Sequence, residues 1–134
     1  MPFILSLDEG TTSARAALYD QTGHAVAMES TPVTCHYPHP GWVEQDAMEI
    51  WSAQMSAARR VIEKSGVSPR DVIAIGIANQ RETTIVWDRK TGRPVAPAIV
   101  WQCRRTADAC TALAGMGEAV AGALLRPPVN GCAA

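Results

Sequence analysis

Short apolar runs that stop at polar clusters occupy the start of the chain. Residues 3–7, 14–19 and 24–30 form three such runs, and the polar clusters 8–13 and 20–23 separate them. Apolar runs of about four to eight residues bounded by turn residues are typical of β-strands. The pattern therefore predicts an antiparallel β-meander, and its first turn carries three consecutive hydroxyl side chains at 11–13.

A helical pattern follows a loop rich in proline and histidine at 32–41. Asp46 stands at the N-cap position and Glu49 comes three residues later, as in a capping box. Apolar residues then recur at three- and four-residue spacing, which predicts an amphipathic helix with this stripe in the core. The stripe consists of Met48, Trp51, Met55, Ala58 and Ile62. Gly66 and Pro69 are expected to end the helix.

The next apolar run, 72–78, is β-branched or small throughout and ends at a second polar cluster, 79–82. Such composition predicts a central strand that is covered on both faces. The elements expected after it are a strand at 83–87, a turn at 88–92, a strand at 98–101 and a helix at 105–113. Beyond Gly115 the sequence becomes rich in alanine and glycine, and no element is predicted.

This order of elements predicts an α/β fold, a mixed sheet with helices against it. A three-stranded meander followed by a helix and a central strand is also how the ribonuclease H-like fold opens, although periodicity by itself indicates only the α/β class.

Composition narrows the functional classes. The length of 134 residues suits a single hydrophobic core, and an apolar fraction of 47% fits a globular protein. The net charge of -1 argues against a protein that binds nucleic acid or an anionic membrane. Residues 1–7 have no basic region and run directly into Asp8 and Glu9, so neither a signal peptide nor a membrane span is predicted there. The cysteines lack CxxC spacing, so reduced buried thiols are expected; they are Cys35, Cys103, Cys110 and Cys132. His36 and His39 are interpreted as part of a solvated loop, not as metal ligands.

The two polar clusters come directly after apolar strands. If residues 7 and 78 end neighbouring strands, both clusters face one crevice at the carboxyl edge of the sheet, where α/β proteins bind ligands. The first cluster suits phosphate, because Gly10 permits close approach and the next three residues carry hydroxyls; these are Thr11, Thr12 and Ser13. Arg15 adds positive charge, and Asp8 could hold Mg²⁺ through water. A capped turn whose hydroxyls bond their own backbone is an equal alternative.

The second cluster suits a small polyol. Arg81 could donate to vicinal hydroxyl groups, and the adjacent Glu82 could accept from them. On spacing alone, an ordinary surface ion pair is the favoured interpretation.

Four segments, in this order, resemble the glycerol kinases of the FGGY family of carbohydrate kinases. They are DEGTTSAR at 8–15, YPHPGWVEQD at 37–46, IGIANQRETTIVWD at 75–88 and AIVWQCRRT at 98–106. The first resembles the phosphate loop of the whole family, and the others resemble the glycerol kinase branch. The sugar kinases usually carry a different motif where 79–82 stands.

The resemblance implies a ribonuclease H-like fold of the actin and hexokinase type. It makes residues 1–115 part of the first kinase domain and 116–134 a divergent tail. It also implies phosphorylation of glycerol by ATP with Mg²⁺, in a cytoplasmic protein that is homo-oligomeric at full length. No nucleic-acid partner and no insertion into a membrane are expected. The chain is expected to be too short for the whole enzyme.

The resemblance also implies roles for individual residues. Nucleotide phosphates would contact Gly10, Thr11, Thr12, Ser13 and Arg15. Asp8 would organise Mg²⁺ through water. The glycerol site would be formed by Thr11, Arg81, Glu82 and, as an apolar wall, Trp101, whereas the family's aspartate base would lie beyond residue 134, so that the chain alone is expected to be inactive. The alternatives are another FGGY sugar kinase, a non-catalytic binding module and, more remotely, a ribonuclease H-like nuclease.

Overall fold

The computed structural model describes residues 1–114. In chain order its elements are β1 (Phe3–Glu9), β2 (Ser13–Tyr19), β3 (Ala25–Pro32), β4 (Glu44–Gln45), α1 (Ala47–Ser65), a 3₁₀ turn (Pro69–Asp71), β5 (Val72–Ala78), β6 (Ala98–Ile99) and α2 (Ala107–Ala114). The main sheet has the order β3-β2-β1-β5, and β4 and β6 form a second, two-stranded sheet. The predicted meander is confirmed, since β1 and β3 both pair with β2 in antiparallel fashion.

Helix α1 packs on one face of the main sheet, chiefly against β2 and β3. The core between them consists of Leu5, Ala16, Leu18, Ala57, Ala58 and Val61. The small alanine side chains let the helix backbone approach the sheet closely. The predicted apolar stripe is wrong in the first turns of the helix. Met48 and Trp51 are exposed, whereas Ala53 and Ala57 are buried. The prediction was based on the spacing of the large apolar residues and did not include the alanines that face the sheet.

The start of α1 confirms the predicted N-cap but not the capping box. The Asp46 carboxylate accepts a hydrogen bond from the Met48 N–H at 2.8 Å. Glu49 instead accepts from the N–H and the hydroxyl of Thr34, at 3.0 and 2.8 Å. Its carboxylate therefore ties the preceding loop to the helix. Gly66, with a positive φ of 67°, ends the helix as predicted.

Strand β5 is not a central strand within the described residues. It pairs in parallel with β1 and occupies the edge of the sheet. Ile73, Ile75 and Ile77 are exposed, because α1 covers chiefly β2 and β3 rather than β5. The β-branched composition indicated an apolar environment, but it could not indicate which element supplies that environment.

The segment after β5 is less regular than predicted. Residues 83–87 form no strand; they contribute only isolated bridges, Thr84 to Ile99 and Trp87 to Pro94. The strand predicted at 98–101 is the two-residue β6, and its partner β4 was not predicted. The turn at 88–92 is confirmed, with the Asp88 carboxylate accepting from the N–H groups of Lys90 and Thr91.

The second predicted helix is confirmed as α2, which belongs to a second compact unit beginning at Arg104. The domain boundary at 115/116 and the tail lie outside the described residues, so both stay predictions. Within residues 1–114 no disulfide forms, and Cys110 is exposed, contrary to the expectation of buried thiols. No helix in that range is long and apolar enough to cross a membrane.

Candidate functional site

The two polar clusters share one edge of the sheet, as predicted. Strands β1 and β5 are parallel neighbours, and Asp8 lies opposite Ala78 at their carboxyl ends. The loops that leave these strands are in direct contact, because the Gln80 side-chain amide donates to the carbonyl of Gly10 at 3.1 Å. A site built from both clusters is therefore geometrically possible.

The turn between β1 and β2 is closed by a backbone hydrogen bond from Gly10 N–H to the Ser13 carbonyl, at 3.0 Å. A Cβ atom at position 10 would lie 2.9 Å from that same carbonyl oxygen, which is closer than real Cβ contacts. Gly10 does not have a positive φ. Glycine is required here because two backbone segments approach each other closely.

The hydroxyl groups of this turn do not bond to their own backbone. The Thr11 hydroxyl accepts a hydrogen bond from the indole N–H of Trp101 at 2.9 Å. The hydroxyls of Thr12 and Ser13 form no hydrogen bond with another residue of the range 1–114. The alternative of a self-capped turn is therefore wrong for the described residues, and all three hydroxyls retain donor capacity for a ligand.

Arg15 and Asp8 form a cross-strand ion pair of 2.9 Å beside the turn. Their side chains are 53% and 44% exposed, so each can also face a ligand. No group of three or more His, Cys, Asp or Glu residues in the described part of the chain could enclose a metal ion. Mg²⁺ commonly uses one or two carboxylates and completes its shell with waters and phosphate oxygens. The exposed carboxylate of Asp8 fits that mode of binding.

Arg81 and Glu82 are both exposed, and neither forms an ion pair or hydrogen bond with another described residue. The surface ion pair favoured on spacing alone is therefore absent from the described range. Glu82 also has a φ of 60°, the left-handed conformation that non-glycine residues rarely adopt. Such strain costs about 1 kcal/mol or more and is concentrated at functional sites.

Trp101 connects the second sheet to the turn. Its backbone N–H donates to the Thr83 hydroxyl at 3.4 Å, while its indole N–H reaches Thr11, ninety positions away in sequence. The ring is about half exposed. The structure thus brings together Trp101 and Thr11 from the predicted set, whereas Arg81 and Glu82 share only the sheet edge with them.

Two glutamine side chains join the loops behind the turn. Gln45 is fully buried and donates to the Thr11 carbonyl at 2.6 Å. Gln80 donates both to the Gly10 carbonyl and to Gln45 Oε1, at 3.1 and 3.0 Å. Neither residue has a role that its type or spacing predicts, although both lie inside segments that resemble the glycerol kinases.

Glu9 is a third residue near the turn whose environment the sequence does not predict. Both carboxylate oxygens are shielded from solvent and have no hydrogen-bond partner among the described residues. Burial raises the pKa of Glu9 from 4.5 to about 7; the nearby Gln80 amide lowers the pKa in part and the Asp8 charge raises it. Both amide hydrogens of Gln80 are used by Gly10 and Gln45, so none is left for Glu9.

We expect Glu9→Gln to stabilise the chain at high pH. A raised pKa means that the native state binds more protons than the unfolded state, so stability falls between pH 4.5 and about 7. The variant lacks that loss and should gain about 1–2 kcal/mol above pH 7, less than the full shift because Glu9 as a whole residue is only partly buried. Below pH 4.5 the gain should vanish.

Urea unfolding of the chain at pH 4 and pH 8 measures this difference. Glu63→Gln, on the exposed side of α1, controls for the loss of one carboxylate. An equal gain for Glu9→Gln at both pH values would contradict the interpretation.

Comparison with known proteins identifies relatives over most of the chain. Residues 3–121 match the N-terminal domain of the FGGY family of carbohydrate kinases. The chain is 54% identical over 117 residues to glycerol kinase 2 of Thermotoga maritima, a match that covers 87% of this chain and 24% of the relative. It is 57% identical over 115 residues to glycerol kinase of Halorhodospira halophila, covering 86% and 23%. The chain thus spans about a quarter of the length of these relatives.

Solved structures show the same similarity. A Plasmodium falciparum glycerol kinase with ADP superimposes with a TM-score of 0.75 and 34% identity, over 88% of this chain and 24% of that one. A xylulose kinase from Rhodospirillum rubrum gives a TM-score of 0.77 at 26% identity, over 89% and 24%. These neighbours confirm the predicted fold class.

Proposed function

Since the chain belongs to the FGGY family of carbohydrate kinases, we propose that its site takes part in transfer of the γ-phosphoryl group of ATP to a hydroxyl of glycerol. One observation carries the proposal: a hydroxyl-rich turn follows the carboxyl end of one strand, and Arg81 and Glu82, which bond to no other described residue, follow the carboxyl end of its parallel neighbour. The first can bind phosphate oxygens and the second vicinal hydroxyls, as a polyol kinase requires.

On the nucleotide side, the turn supplies donors to the phosphates, and Arg15 adds positive charge to it. The residues that we assign to phosphate binding are Gly10, Thr11, Thr12, Ser13 and Arg15. Asp8 would hold Mg²⁺ through water, and the ion, when bound, neutralises charge on the phosphates. Since Asp8 is paired with Arg15 at 2.9 Å, that arginine also keeps the carboxylate oriented at the turn.

On the polyol side, Glu82 accepts from the hydroxyl groups and Arg81 donates to them. The exposed face of Trp101 offers an apolar wall for the carbon chain, and its indole N–H donates to the hydroxyl of Thr11, the residue that we assign to both the polyol and the phosphates. We assign binding and charge stabilisation to residues 1–114, and no residue among them to proton transfer. A cytoplasmic location and homo-oligomer formation stay predictions.

Glycerol is favoured over a sugar substrate because the curated relatives that match at 52–57% identity are glycerol kinases. A ribonuclease H-like nuclease needs several carboxylates that converge on metal ions, and the described residues contain no such group. A non-catalytic binding module would be distinguished from a kinase by the absence of glycerol-dependent turnover.

A chimaera provides the test. Residues 3–121 would replace the matched segment of the Thermotoga maritima glycerol kinase 2, giving what we call the chimaeric kinase. We expect glycerol-dependent ADP formation in a coupled assay, and its loss in the Asp8→Ala variant, because the phosphate and metal contacts come from this segment. A folded chimaeric kinase without glycerol-dependent turnover, or with turnover that Asp8→Ala leaves unchanged, would exclude the proposed function.

A further inference from the structure

Two consecutive carbonyl groups of the β1–β2 turn accept hydrogen bonds from side-chain amides. Gln80 Nε2 donates to the Gly10 carbonyl at 3.1 Å, and Gln45 Nε2 donates to the Thr11 carbonyl at 2.6 Å. The two amides are also joined to each other, since Gln80 Nε2 donates to Gln45 Oε1 at 3.0 Å. They form one connected unit, the amide clamp, which consists of Gln45 and Gln80.

The amide clamp is itself fixed in orientation. A carbonyl group can only accept, so each glutamine must present its nitrogen to the turn. Gln80 Oε1 accepts from the Thr83 hydroxyl at 3.0 Å, which satisfies the other end of that side chain. Gln45 is fully buried and lies in β4, whose pairing with β6 holds its backbone. Neither glutamine can therefore turn its amide without losing hydrogen bonds.

The geometry of the peptide group transmits this constraint to the opposite side of the turn. In a planar trans peptide the C=O and the following N–H point in opposite directions. Holding the Gly10 carbonyl therefore directs the Thr11 N–H away from Gln80, and holding the Thr11 carbonyl directs the Thr12 N–H away from buried Gln45. Neither N–H donates to another residue within the range 1–114.

We propose that Gln45 and Gln80 are positioning residues that aim the N–H groups of Thr11 and Thr12 at the phosphate oxygens of the nucleotide. This inference rests on the proposed function. Successive N–H groups that converge on one side of a turn form an anion-binding concavity. Because the amide clamp holds them before the nucleotide arrives, the donors need no reorganisation when charge develops on the phosphates.

Gln45→Met in the chimaeric kinase tests the proposal most directly, because Gln45 lies in β4 and not in the loop that carries Arg81 and Glu82. Methionine has a similar volume but neither donates nor accepts as an amide does. We expect kcat/KM for ATP to fall about tenfold or more, since a small displacement of positioned groups has such an effect. The KM for glycerol should change less, about twofold or below, because Gln45 forms no hydrogen bond with Arg81, Glu82 or Trp101, which we assign to the polyol.

Val61→Ala is the matched control. Val61 is fully buried in the core between α1 and the sheet, and the residues of that core cluster do not include the turn residues 10–12. It should lower the melting temperature without altering the ratio of the two KM values. If Gln45→Met behaves like Val61→Ala, the role of Gln45 is merely structural and the proposal is wrong.

Gln80→Met provides a second variant at a less buried position, should Gln45→Met fail to fold. Because the two amides hold one turn as a unit, the double variant should lose about as much kcat/KM for ATP as either single variant. Additive losses would overturn the idea of one amide clamp. An inactive parent chimaera would contradict the proposed function, whereas an active parent with unaffected Gln45→Met and Gln80→Met variants would contradict this inference alone.

Discussion

Replacing Gly10 with alanine is expected to lower kcat/KM of the chimaeric kinase about a hundredfold. The new Cβ would lie 2.9 Å from the Ser13 carbonyl oxygen, and the hydrogen bond from Gly10 N–H holds that oxygen in place. The oxygen belongs to the backbone at the start of β2, so it cannot move aside as a flexible side chain could. The turn must open, and a displacement of catalytic donors by about 1 Å can cost a hundredfold in rate.

Gly23→Ala is the control for this prediction. Gly23 has a φ of 82° and nothing lies within 4 Å of its Cβ position, so alanine there introduces backbone strain without a clash. The two variants should lose stability to a similar degree, about 1 kcal/mol. Steady-state kinetics and thermal melts on both would separate the effects. Equal losses of activity would show that Gly10→Ala acts through stability and not through the phosphate-binding turn.

The second large effect is expected for Glu82→Gln, which should raise the KM for glycerol about tenfold or more. Glutamine keeps the shape of the side chain but replaces an acceptor oxygen by a donor, so that a glycerol hydroxyl meets another donor. An unsatisfied buried polar group costs about 1–3 kcal/mol, and more where a charge is involved. Glycerol titrations at saturating ATP measure the change, and an unchanged KM would show that Glu82 does not face the polyol.

Glu82→Gly distinguishes a binding role from a structural one. Its φ of 60° is easily adopted by glycine, so relief of strain offsets the larger entropy of the unfolded chain. The melting temperature should therefore stay close to that of the parent, whereas the KM for glycerol should rise at least as much as in Glu82→Gln. A residue kept for folding would show the opposite pattern, a changed melting temperature with normal glycerol binding.

Features that depend on neighbouring residues could be predicted from the sequence. The alternation of apolar runs and turn residues determined the meander, and Asp46 and Gly66 marked the ends of α1. The polar clusters after two apolar runs also indicated which residues meet at the sheet edge. Strand propensity, helix caps and turns act over a few residues, so a short window of sequence contains the information that decides them.

Contacts between distant segments could not be predicted in this way. The edge position of β5 depends on where α1 lies across the sheet, and the burial of Glu9 depends on the loops packed around it. The amide clamp joins residues 35 positions apart, and Gln80 reaches the turn across 70 positions. No periodicity spans such separations. The sequence alone therefore determined the chemistry available at the turn. The tertiary structure decided which way its donors point, because only packing can bring the glutamine amides within hydrogen-bond distance of its carbonyl groups.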